Sequence, residues 1–275
     1  MEKFKKMILC LLGVSLLLLA GTQLFSFLTL DRTAPVITCP GGVMETSTAA
    51  DEQVLLSEVR AQDDRDGDLS PNIVVERLSA MGADGTRQVT YAVMDLSGNV
   101  GRAARTIRYT DYTPPRIHMN APLRADGRDK MYPSLDALTA DSTLDGDLSS
   151  KIKYSFLNGA AIAGAGSYPV ELRVNDSAGN STVIPTAFEI FDPREETLSV
   201  ELTQYIVYLK KGAAFDPASY YKVPAPSANG GPVLSMTWTS NADLSTPGVY
   251  QVDYTVKNQA SGDYGKSRLI VVVEA

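Results

Sequence analysis

The sequence predicts an all-β chain of three tandem β-sandwich domains behind a single N-terminal transmembrane helix. Three observations carry that prediction. Residues 7–30 contain no charge, and the rest of the chain repeats itself at a spacing near 80 residues. Within each repeat, apolar residues alternate with period two. At 275 residues, 44% apolar and 21% charged, the composition is that of a globular chain, and wholesale disorder is excluded.

The helix comes first. Lys3, Lys5 and Lys6 crowd residues 1–6, a cytoplasmic tip, and 24 uncharged residues run on from them at 7–30. At ~1.5 Å per residue such a helix spans about 36 Å, enough to cross a ~30 Å hydrocarbon core with some tilt. Basic residues ahead of the span keep the N-terminus inside and export the rest of the chain. A cleaved signal peptide would carry a shorter apolar region, about 7–15 residues, before a small-residue cleavage site. Here Ala20-Gly21-Thr22 is succeeded by further apolar chain at Leu24, Phe25, Phe27 and Leu28, so an uncleaved signal anchor is the favoured reading. The expected location is the cell membrane, single-pass, with the C-terminal domains extracellular.

Removing residues 1–30 changes the charge. The chain carries −7, but residues 31–275 hold 22 basic and 31 acidic side chains, a net of −9. This acidity argues against nucleic acid, which is gripped by clustered Lys and Arg. Cys10 lies in the span and Cys39 outside it, so the exported region is expected to fold without an internal disulfide. Cys39 reads as a small buried apolar side chain.

The exported part is a repeat. Asp31-Arg32-Thr33-Ala34-Pro35 returns 80 residues on as Asp111-Tyr112-Thr113-Pro114-Pro115. Asp66-Gly67-Asp68-Leu69-Ser70 returns 79 on as Asp145-Gly146-Asp147-Leu148-Ser149. Asp95-Leu96-Ser97-Gly98-Asn99 returns 81 on as Asp176-Ser177-Ala178-Gly179-Asn180. A third copy survives as the Gly-x-Tyr strand at 248–256, which matches 166–174, and it lacks both acidic phrases. The domains are therefore placed at 31–110 and 111–191, with a divergent third at 192–275.

Alternation marks the strands. Val89, Tyr91 and Val93 point one way, as do Val170, Leu172 and Val174, and Val252, Tyr254 and Val256. Further strands are expected at 36–39, 73–77, 105–109, 152–156, 187–191, 199–208 and 268–273. The segment 52–60 and its counterpart 134–139 read as a short helical turn or a strand. Short strands with turn residues in units of about 80 residues describe a sandwich.

The order Asp-x-Thr-x-Pro, Asp-Gly-Asp, Gly-x-Tyr-x-Val and Asp-x-x-Gly-Asn resembles the bacterial Ig-like domains of exported surface proteins. This is the group named after the Ig-like domain of a pesticidal crystal protein, with the related HYR modules. The resemblance covers 31–191 well and 192–275 through the Gly-x-Tyr strand and the Lys211-Gly212…Asp216-Pro217 phrase. It implies three tandem Ig-like β-sandwich domains used as spacer, adhesion or recognition modules. Arg87 departs from the pattern in the first domain, and Ser142 stands in the second where the first has Asp63.

Two readings of the repeated acids stay open. Asp63, Asp66, Asp68 and Asp95, with Asp145, Asp147 and Asp176 in the second copy, are candidate Ca²⁺ ligands, since Ca²⁺ takes six to eight oxygens. The alternative is that these are turns whose Asp and Asn side chains bond nearby backbone N–H groups. The turn reading is favoured, because the 12-residue Ca²⁺-loop spacing is absent; no other cofactor is indicated. Asp31, Asp111 and Asp192 open the domains beside prolines; they read as solvated linker residues, with bridging through a cation at the stiff joint as the alternative.

In the third domain Trp238, Tyr220 and Tyr221 are candidate ligand contacts beside a Pro-Ser-Gly stretch at 225–232, although aromatics of a sandwich are equally core. No enzyme is expected. There is one histidine, His118, and no Gly-x-Ser-x-Gly, P-loop or His-Glu-x-x-His occurs. The expected role is a membrane-anchored surface protein acting in adhesion, recognition or scaffolding toward a protein or cell-wall polysaccharide. The alternative is a non-catalytic spacer or accessory subunit of an envelope enzyme or secretion complex.

Overall fold

The computed structural model describes residues 1–82, 84–128, 134–224 and 233–274; the stretch 225–232 lies outside them. The described chain is mostly strand, with one long helix, α1, at Glu2–Thr29. This helix begins earlier than the uncharged run, because Lys3, Lys5 and Lys6 are good helix formers and nothing interrupts them. None of its most apolar 18-residue window is buried.

The contacts divide the chain into two compact units, Met1–Thr110 and Asp111–Ala275. The first holds β1 (Val36–Thr38), β2 (Met44–Thr46), a helical turn α2 (Glu52–Leu55), β3 (Arg60–Asp63), β4 (Gly67–Asp68), β5 (Val74–Leu78), β6 (Thr86–Met94) and β7 (Val100–Tyr109). They form one sheet in the order β1-β3-β4 and another in the order β2-β7-β6-β5. Among the described residues only the β2–β7 pair is parallel. Asp51 caps α2 by accepting the N–H of Val54, which settles the segment at 52–60 as a helical turn running into a strand.

In the second unit, β8 (Arg116–Met119), β9 (Arg124–Asp126), β10 (Leu138–Ser142), β11 (Gly146–Asp147), β12 (Lys153–Phe156), β13 (Gly166–Asn175) and β14 (Ser181–Phe191) repeat the pattern. Their sheets run β11-β10-β8 and β12-β13-β14-β9, again with one parallel pair, β9–β14. Then come β15 (Ile206–Lys210), β16 (Leu234–Ser240), β17 (Gly248–Asn258) and β18 (Tyr264–Glu274), in the order β15-β18-β17-β16. This reproduces the four-stranded sheet of the earlier copies, with β15–β18 as its parallel pair. Among the described residues its three-stranded partner sheet is reduced to isolated bridges such as Leu202–Tyr221. The expected strand at 199–208 shrinks accordingly to 206–210. The physical reason is in the sequence: the Asp-Gly-Asp turn that makes the β3–β4 and β10–β11 hairpins is missing here.

The period-two alternation is the burial pattern. Val89, Tyr91, Val93, Val170, Leu172, Val174, Val252, Tyr254 and Val256 are all at most 1% exposed. Each such side chain contributes roughly 1.5–3 kcal/mol of burial. One contiguous set of buried residues runs from Ile117 to Val273, so residues 192–275 share a core with 111–191. The Tyr208 hydroxyl donates to the carbonyl of Ile117 (3.0 Å) and accepts its N–H (2.9 Å), and burial pushes its pKa up to about 12. Arg124 pairs with Glu196 at 2.5 Å, each side chain 15% exposed.

Candidate functional site

The two acidic phrases fold into interlocking turns at one end of each complete sandwich. In the first copy Asp95 closes its turn by accepting N–H bonds from Ser97 (2.9 Å) and Asn99 (2.8 Å) on Oδ1, and the Asn99 amide on Oδ2 (2.7 Å). Gly98 takes φ +88°, a conformation a side chain resists. Asp66 Oδ2 reaches across to the N–H of Leu96 (2.8 Å), and Asp68 Oδ1 accepts the N–H of Ser70 (2.9 Å). In the second copy Asp145 accepts from Ser177 (2.8 Å) and Asp147 from Ser149 (2.9 Å). Asp66, Asp68, Asp145 and Asp147 therefore brace turns, and Ser70 and Ser149 hold the carboxyls of Asp68 and Asp147 below the ordinary range.

A different trio comes together. Asp31, Asp63 and Asp95 are 5%, 3% and 5% exposed, and one carboxylate oxygen of each lies within 4.8 Å of the others. Each uses Oδ1 on backbone N–H groups: Asp31 accepts from Thr33 (2.9 Å), Asp63 from Arg65 and Asp66 (both 2.9 Å). Asp63 Oδ2 and Asp31 Oδ2 are buried without a hydrogen bond, and among the described residues no other carboxylate oxygen is. Arg65 Nε stands 3.7 Å from Asp31 Oδ2 on a side chain 52% exposed, so it compensates only in part. Burial pushes the Asp95 carboxyl up, but the Asn99 amide and the N–H groups of Asn99, Ser97 and Gly98 outweigh it and hold it low. Carboxylates this close repel one another when all are ionised.

Asp31 reads in the sequence as a solvated linker residue, and the structure corrects this by burying it. The signal that finds it is a set of differences between the copies. The second copy has Tyr112 for Arg32, Ser142 for Asp63 and Leu144 for Arg65. There Asp111 is exposed, and the Tyr112 hydroxyl donates to Asp176 Oδ2 at 2.8 Å. Burial and that carboxylate push the Tyr112 phenol well above its ordinary pKa. Ser142 Oγ takes over the turn bond of Asp63 by accepting the N–H of Asp145 (3.0 Å). Where the first copy gathers three buried carboxylates, the second keeps one and gives it a neutral donor.

No family model matches the chain. The pesticidal crystal protein Cry22Aa of Bacillus thuringiensis is 28% identical over 225 residues, covering 78% of this chain and 29% of that protein. The chain thus spans less than a third of that relative's length. Among solved structures, Drosophila N-cadherin EC1-3 aligns over 87% of this chain and 99% of that one at 12% identity and a TM-score of 0.30. Human CDH23 EC21-23 aligns over 87% of this chain and 100% of that one at 14% identity and 0.23. At such TM-scores these likenesses carry no argument. What the comparisons support is a β-rich domain protein with weak sequence similarity to one crystal protein.

The aromatic candidates separate. Trp238 sits on β16, an edge strand, opposite the fully buried Tyr254 and hence on the same face, yet the open edge leaves it 42% exposed. Tyr220 and Tyr221 are half-buried against the core, Tyr220 beside Phe215 at 5.6 Å, and burial raises both phenols. His118 pairs with Asp141 (2.6 Å) on an exposed strand face. A cavity of about 370 Å³ lies between β14 and β17, but its charges neutralise one another: Arg268 pairs with Glu189 and Asp253, and Arg124 with Glu196. Cys10 and Cys39 are free, and Cys39 is half-buried, its thiol pushed up by burial.

Proposed function

We propose that this chain is a single-pass membrane protein, N-terminus inside, whose β domains act outside the cell in adhesion, recognition or scaffolding, without catalysis. The observation that carries this is α1. None of its most apolar 18-residue window, within Glu2–Phe25, is buried by the rest of the fold, and an apolar run of that length is what a bilayer core covers. A short way past its end the chain enters compact β structure that folds without disulfides. The three-domain division at 31–110, 111–191 and 192–275 belongs to this reading, with the last two joined by a common core. The non-catalytic part rests on the surface pairing of His118 with Asp141 and on the self-neutralised cavity. Trp238, exposed on an edge strand, is the side chain offered to a protein or polysaccharide partner.

The test is protease treatment of intact cells expressing the chain, and then carbonate extraction. Digestion of residues 31–275 in intact cells, with the remnant held in the membrane pellet, is the expected result. Full protection, or release of the whole chain by carbonate, would refute the topology.

A further inference from the structure

We propose that Asp31, Asp63 and Asp95 bind one Ca²⁺ ion, and that this ion ties the segment leaving α1 to the end of the first sandwich. Three observations meet here. The carboxylates converge within 4.8 Å of one another while almost wholly buried. Two of their oxygens, Asp31 Oδ2 and Asp63 Oδ2, are buried with no hydrogen-bond donor to satisfy them. A buried charge is retained only where a partner compensates it, and Arg65 Nε, on a half-exposed side chain, stands 3.7 Å from Asp31 Oδ2, too far for a hydrogen bond. The third observation is the internal comparison. The second copy keeps the same turn around Asp176, loses the Asp at 142, exposes Asp111 and supplies the Tyr112 hydroxyl to the remaining carboxylate. The fold therefore does not need three acids at this place.

The donor set chooses the metal. It is all oxygen, with no His or Cys in the cluster, which favours a hard cation over zinc or copper. Carboxylates at most 5% exposed leave little room for the waters that Mg²⁺ retains, whereas Ca²⁺ takes carboxylate and carbonyl oxygens directly. The Asp31 carbonyl already accepts the Asn99 amide (3.2 Å), so the linker and the Asp95 turn are held in register before the ion arrives. Asp31 lies just past the end of α1 at Thr29. An ion here would stiffen the joint between the helix and the domain. The site itself is independent of the topology proposed above; only its filling by extracellular Ca²⁺ rests on that reading.

The experiment is hydrogen–deuterium exchange on the full chain in detergent micelles, in millimolar CaCl2 against EGTA. Exchange is expected to slow about tenfold in peptides covering 31–35, 61–69 and 94–101, the factor set by millimolar Ca²⁺ standing about ten times above an extracellular-type Kd. Peptides covering 111–115, 140–148 and 175–182 should not change. Asp63→Ser, which installs the residue of the second copy, and Asp31→Asn should each abolish the Ca²⁺ effect while exchange in EGTA stays that of a folded domain. Identical exchange in CaCl2 and EGTA across 31–110 of the wild type would overturn the proposal. So would protection that persists in both variants, or equal protection by MgCl2.

Discussion

Arg124→Ala tests whether residues 111–275 unfold as one body. Arg124 lies on β9, in the second copy. Its guanidinium pairs with Glu196 at 2.5 Å, donates to the Lys266 carbonyl at 2.5 Å and covers the Phe191 ring at 4.6 Å. Truncation strands Glu196, itself 15% exposed, without its partner. Breaking a buried pair costs about 3–5 kcal/mol, and the residual exposure places this one near 3 kcal/mol. The reporter is Trp238, the sole tryptophan, on the sheet of the third copy. With m near 3 kcal/mol per molar urea, its fluorescence midpoint should fall by about 1 M, in step with circular dichroism of the second unit. Arg173→Ala, which removes an exposed pair with Glu171, should shift the midpoint by less than about 0.2 M. An unmoved Trp238 transition in Arg124→Ala would show that the shared core does not couple the two copies.

Other outcomes are equally specific. A Cβ on Gly101 would sit 1.9 Å from the Pro35 carbonyl oxygen, and one on Gly265 2.0 Å from that of Leu198. Either Gly→Ala change should cost at least about 2 kcal/mol in chemical denaturation, and a neutral result would refute the close strand approach. Tyr91→Phe removes the hydroxyl that donates to the Leu55 carbonyl (2.7 Å) and should cost about 1–3 kcal/mol; an unchanged midpoint would mean that carbonyl is satisfied otherwise. Asp192, held by Arg194, has its pKa lowered to about 2. Its folded value lies below the unfolded one near 3.9, so its contribution is present above about pH 4 and lost as pH falls toward 2. A carboxyl NMR titration should place Asp192 there and move it up in Arg194→Ala; a midpoint near 4 in the wild type would refute the pairing.

How far the sequence could be read depended on the range of the interaction. The turns are local: Gly98 and Gly179 at positive φ, closed by Asp95 and Asp176, are written within five residues, and both copies fold alike. The hairpin strands are local too, since period two assigns Val89, Tyr91 and Val93 to one face without reference to the partner sheet. Trp238 shows where this stops. Its position in the ladder is opposite a buried tyrosine, but whether another strand covers it depends on β16 being an edge, and no window of sequence records that.

By itself the sequence determined an apolar helix long enough to cross a membrane, a β-rich remainder and a repeat near 80 residues, because these arise from composition and short periods. The tertiary structure decided two further matters. It merged residues 192–275 into one core with 111–191, since a four-stranded sheet without its regular partner must cover its apolar face with a neighbour. It also drew Asp31 out of an apparent linker to Asp63 and Asp95, which lie 32 and 64 positions away in the chain. Charges so distant in sequence meet only when three loops converge, and burial there leaves one oxygen of Asp31 and one of Asp63 without a hydrogen-bond donor.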